Sequence, residues 1–163
     1  MAARVDGDIV AVAPLPLIRA VGILSRHKKP LFLKSYVASR EAAHQLAMYT
    51  AMDGVDALHK DLSIEACGGV ARSPFTGLLQ LVDDEKTFGW VTGTGIKIFL
   101  VTHDRRLHER SVTTLLEALH VAFADAVCGP FTDVDDPSEA LGAAFAAKVD
   151  AVTAAAADSL PAV

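Results

Sequence analysis

The sequence predicts an α/β (α+β) sandwich, in which a five-stranded, mostly antiparallel sheet carries one helix on one face and two on the other. Three observations carry that reading. Five short β-rich runs are bounded by turn residues, two long segments repeat apolar residues with helical spacing, and the elements follow in the order β-β-α-β-β-β-α-α. The composition agrees, because 52% hydrophobic against 21% charged residues leaves enough apolar side chains to cover a sheet on both faces.

The first hairpin is read from two runs. Leu17 to Leu24 is apolar apart from Arg19, and Leu31-Phe32-Leu33-Lys34-Ser35 resumes after the polar cluster Ser25-Arg26-His27-Lys28-Lys29-Pro30. A helix is expected from about Ser39 to Leu62. Its stripe of His44, Ala47, Met48, Ala51, Val55, Leu58 and Leu62 should face the core. After the Gly68-Gly69 and Ser73-Pro74 signals come three strands, Gly77 to Asp83, Thr87 to Thr92 and Ile96 to Thr102, joined by short polar or glycine turns. The last is apolar on both faces. It belongs in the middle of a sheet covered on both sides.

A second helix is expected from Glu109 to Val127, ended by Gly129-Pro130, since proline cannot continue the hydrogen-bond ladder. Cys128, at its end, reads as a buried small hydrophobe. The third helix is announced by Asp136-Pro137-Ser138-Glu139, a cap followed by the proline that suits a first turn. Leu141, Phe145, Val149 and Val152 give it a core face, and the alanine-rich tail beyond Thr153 is expected to fray. A length of 163 residues fits one domain. Its expected extent is residues 17–155, after a flexible extension over 1–16 and before a frayed tail over 156–163.

Charge and cysteine content narrow the function. A net charge of −5 offers no basic face for a phosphate backbone, so nucleic acid is set aside. Two cysteines without C-x-x-C spacing suggest reduced thiols rather than a disulfide framework or a zinc site. The apolar stretch Ile9 to Ile18 is broken by Pro14 and Pro16, follows two aspartates and is too short to span a bilayer.

Four segments then carry a resemblance. Lys86 to Val101, with its Phe88-Gly89-Trp90-Val91-Thr92 strand end and the lysine that opens the next apolar strand, is similar to the hairpin of the sedlin family of TRAPP subunits, particularly its subunit 2-like branch. Tyr49 to Asp56 resembles that family's first-helix pattern of two spaced aspartates. Lys29-Pro30-Leu31-Phe32 resembles its second-strand start, and Cys128-Gly129-Pro130-Phe131 the turn between its last two helices. Ala57 replaces the glutamate of the helix pattern and Gly129 the asparagine of the turn.

The resemblance implies a longin fold, whose element order is the one read above, and a non-catalytic adaptor in a vesicle-tethering complex of ER-to-Golgi and Golgi traffic. It implies other TRAPP subunits as partners and a Rab GTPase reached only through the complex. Membrane association would be peripheral, from the cytoplasmic side. It implies no catalytic residue, cofactor or metal. Another longin-type trafficking module, such as a coat-adaptor small subunit or a SNARE regulatory domain, and a small-molecule enzyme on a similar sandwich are the alternatives.

The candidate partner surface is the outward face of the first helix. Asp53 lies about 180° from the core stripe at 100° per residue, with Asp56, Tyr49, Leu46 and Lys60 around it. From the residues alone this face reads equally as a solvated helix surface or as a docking patch, and Asp53 as a hydrogen-bond acceptor for a neighbouring loop. The family pattern at both aspartates favours docking. Three other clusters take plainer readings. His103, Asp104 and His108 lack the one-face spacing of a metal pair and are interrupted by Arg105-Arg106, Arg26 to Lys29 reads as a solvated loop, and Gly93-Thr94-Gly95 as a turn.

Overall fold

The structure is a computed structural model that describes residues 16–65, 73–103, 107–133 and 135–159, without the side chains of 59–65 and 159. Its strands are β1 (Ile18–Leu24), β2 (Pro30–Ser35), β3 (Phe75–Val82), β4 (Glu85–Val91) and β5 (Lys97–His103). They form one sheet in the order β2-β1-β5-β4-β3, with every pair antiparallel. The apolar β5 sits at the centre, as its pattern requires. The helices are α1 (Glu41–Glu65), entered through a 3-10 turn at Ala38–Arg40, α2 (Glu109–Val127) and α3 (Ala143–Ser159).

Register explains the two layers. Val21, Leu100 and Phe88 stand side by side across β1, β5 and β4, as do Ile23, Ile98 and Trp90. These rows form one core with Val112, Leu115, Leu116, Leu119 and Phe123 of α2 and Phe145 and Val149 of α3. Phe32 of β2 closes it edge-on against Phe145, ring centroids 4.9 Å apart. Each such fully buried side chain contributes about 1.5–3 kcal/mol.

The other face is shaped for α1 by missing side chains. Phe99 is flanked in register by Gly22 on β1 and Gly89 on β4. A Cβ on Gly22 would stand 2.2 Å from Met48 Sδ, and one on Gly89 2.4 Å from Thr76 Oγ1 and 2.7 Å from Leu79 Cδ1. Glycine therefore lets α1 and the edge strand fold close onto Phe99. Met48, Ala51, Met52 and Val55 complete that second core with Leu24.

A polar cluster fixes where α1 begins. Glu85, buried at the start of β4, receives Arg40 Nη2 at 3.5 Å from the entry turn of α1 and has His44 Nε2 at 3.2 Å. Arg19 of β1 lies 4.0 Å away, close enough for charge attraction and too far for a hydrogen bond. The Ser35 hydroxyl lies within hydrogen-bond distance of both Val37 O, at 2.9 Å, and His44 Nδ1, at 2.8 Å. His44 is 1% exposed and thus tied to β2 and β4 at once.

Four details depart from the sequence reading. Asp136-Pro137-Ser138-Glu139 starts a 3-10 turn, Pro137–Ala140, in which Asp136 accepts from Ser138 N; the chain breaks at Leu141-Gly142 and α3 starts afresh at Ala143. Leu58 is exposed, because 25 residues of helix run about 37 Å while a seven-residue strand covers about 23 Å, so α1 overruns the sheet. Cys128 is also exposed: α2 ends at Val127, and the next residue leaves the amphipathic face. Helix α3 continues past Thr153 to Ser159. Residues 1–15 of the extension expected over 1–16, the Lys60 and Leu62 side chains, Cys67, Gly68-Gly69 and residues 160–163 lie outside the described residues.

Gly22→Ala should lose about 1–3 kcal/mol of stability by overpacking against Met48. Urea unfolding of Gly22→Ala, Met48→Ala and the double variant checks this. The double variant should lose less than the sum of the two single losses.

Candidate docking face on the first helix

The inward stripe of α1 is fixed by the cores above, which leaves Leu46, Thr50 and Asp53 facing solvent. Leu46 is 67% exposed. It stands over a groove of about 190 Å³ between α1 and the edge strand β3, whose opposite lip is Val82. Gln80 of β3 ties the two elements together, donating from Nε2 to Ala47 O at 3.0 Å. Val82 is itself 53% exposed, so helix and strand edge together present apolar surface to water.

The four residues singled out from the sequence fall into two pairs. Leu46 and Asp53 are free in solvent, whereas Tyr49 is half-buried against the Met48–Phe99 core and Asp56 is held by two lysines. Asp56 Oδ2 meets Lys28 Nζ at 2.7 Å, and Oδ1 lies 3.6 Å from Lys97 Nζ. Lys97 is buried, in register between Leu24 and Val91, and reaches Asp56 from beneath α1. The loop-anchoring role considered for Asp53 is thus filled by Asp56.

That geometry revises the reading of the β1–β2 loop as merely solvated. Lys28 adopts a left-handed backbone, φ 67°, and pairs with α1; Arg26 Nη2 meets Asp135 Oδ1 at 2.7 Å, and Lys29 pairs with Asp136. One loop therefore clasps α1 on one side and the α2–α3 connection on the other. The Lys28 hydrogen bond holds the Asp56 carboxyl below its ordinary range, with Lys97 adding attraction against the penalty of burial. Lys28 is correspondingly raised, chiefly by the same bond. Asp136 is lowered to about 2, mainly by Lys29 and then by the Ser138 side chain.

The groove residues Val82 and Gln80, and the Glu85 cluster beneath them, were not singled out as functional. An exposed valine at the last position of an edge strand, followed by Asp83-Asp84, was the available signal. His103 ends β5 and His108 precedes α2, while 104–106 lie outside the described residues. Among the described residues, no group of three His, Cys, Asp or Glu side chains is placed to hold a metal, and no helix is long and apolar enough to cross a membrane.

Sheet, layers and helix order define a longin-like α/β/α domain. The chain belongs to the Sedlin family, whose model matches residues 23–155. Among curated proteins it is similar to the trafficking protein particle complex subunit 2-like protein of Xenopus tropicalis, 25% identical over 72% of this chain and 84% of that protein. The protein of the same name from Bos taurus is 26% identical over 71% of this chain and 84% of its own length.

The Asp56 contacts set a pH dependence. A carboxyl lowered in the folded state stabilises it while ionised, and that contribution is lost as pH falls through the folded value, below 3.8. Asp56→Ala should melt earlier than the unaltered protein at neutral pH, with the gap closing in strong acid. Thermal melts across pH 2–7 check the convergence.

Proposed function

We propose that this protein is a non-catalytic adaptor subunit of a TRAPP-type vesicle-tethering complex, acting in ER-to-Golgi and Golgi traffic. The observation that carries the reading is the family match along most of the fold, joined to relatives whose names place them in the trafficking protein particle complex. Other TRAPP subunits are its direct partners, and a Rab GTPase is reached only through the assembled complex. It works on the cytoplasmic side, peripheral to ER–Golgi and Golgi membranes.

The docking surface in this reading is the α1 face of Leu46, Tyr49, Asp53 and Asp56, extended by Val82. Leu46 and Val82 supply apolar area that a partner would remove from water, and Asp53 sets a charge requirement at the rim. Tyr49 and Asp56 contribute less by contact than by holding the face, since each is already engaged by the fold. A hot spot of this kind is small. Truncating its apolar centre usually costs most of the affinity the patch provides.

Leu46→Glu and Asp53→Arg should each weaken binding to the neighbouring recombinant TRAPP subunit by tenfold or more, with melting temperatures close to that of the unaltered protein. Calorimetric titration with each TRAPP subunit in turn makes the measurement. Unchanged affinity for every subunit would remove the face from the account.

A further inference from the structure

A second concavity, about 440 Å³, lies at the C-terminal end of α2, bounded by the β1–β2 loop, the β4–β5 turn and the connection before α3. Its apolar lining comes from Ile96, Phe123, Val127 and Pro137. This is ample for one large side chain and part of a backbone, within the size range of ordinary ligand sites. The polar rim is unbalanced. Arg26 is matched to Asp135, whereas Asp133, whose Oδ1 accepts the Asp135 N–H at 2.9 Å, has no ion pair among the described residues.

Two further features point outward. Phe131 is 99% exposed, one residue before Thr132, which lines the groove. Gly93 borders the same space, and a Cβ built there meets nothing within 4 Å. With Arg26 engaged by Asp135, the charge left unmatched at the rim is the Asp133 carboxylate, which repels an anionic headgroup or nucleotide. A cationic group is drawn to it.

We infer that this groove docks a short linear segment of another protein, one that presents an aliphatic or aromatic side chain beside an arginine or lysine. The apolar side chain fills the space over Phe123 and Val127. The basic neighbour pairs with Asp133. This site uses elements other than the α1 face, so complex assembly tests that face and peptide binding tests this groove, and either can fail alone.

A phage-displayed library of random dodecapeptides, selected on the full chain and counter-selected on Gly93→Leu, tests the inference. Enriched sequences should carry Leu, Ile, Phe or Trp within two positions of Arg or Lys. In fluorescence polarisation the best of them should bind Gly93→Leu at least twentyfold more weakly, and Asp133→Lys at least tenfold. Added salt should weaken the unaltered protein and restore part of the affinity lost in Asp133→Lys, by screening the attraction in the first and the repulsion in the second. Asp133 is exposed, so that variant keeps the test decisive if Gly93→Leu does not fold. No enrichment over the counter-selection, enrichment of acidic peptides, or full affinity in Asp133→Lys would each overturn it.

Discussion

Glu85 is the constraint on which the α1 layer depends. A buried carboxylate is costly unless charge and hydrogen bonds compensate it, and here the compensation comes from three elements: Arg19 of β1, Arg40 of the turn into α1, and His44 in its second turn. Since Arg40 and His44 both belong to the start of α1, satisfying Glu85 fixes where that helix begins. The rest of α1 is then laid down by Met48 entering the space over Gly22. Hydrophobic burial alone would tolerate a slide along the sheet; a directional cluster resists it.

The far half of α1 is fixed by a second polar contact, and it joins two of the segments that resembled the family. The lysine opening β5 and the second aspartate of α1 lie 41 positions apart in sequence, yet Lys97 Nζ comes within 3.6 Å of Asp56 Oδ1. Lys28 then bonds the same carboxylate from the β1–β2 loop, which also pairs with Asp135 and Asp136. The individual surface pairs are weak in water. Their joint effect is to hold a loop between the two helical layers, and this loop also forms one wall of the groove inferred to take a peptide.

Much of the fold was legible because its signals are local. The β5 run is apolar on both faces, and α2 carries an unbroken 3.6-residue pattern that recovered both its ends. The departures arise where a local signal is overruled at longer range. The Asp136-Pro137 cap is real, but Gly142 intervenes before the helix it announced; Leu58 keeps the period of the stripe after the sheet beneath it has ended; and Cys128 falls one residue beyond the last turn of α2. For the candidate face, spacing alone placed Leu46 and Asp53 outward. It had no means of seeing that Tyr49 and Asp56 are taken up by the fold, since their partners come from distant strands and loops.

The measurement that tests the account most directly is hydrogen–deuterium exchange with urea unfolding on Glu85→Ala. Removing one member of a buried charged cluster should cost about 3–5 kcal/mol, leaving Arg19 without a counter-charge and His44 Nε2 without its partner. Amides in the first half of α1 should then exchange faster than those of α2, which packs on the opposite face. A loss below about 0.5 kcal/mol, or uniform exchange across both helices, would contradict the claim that Glu85 positions α1.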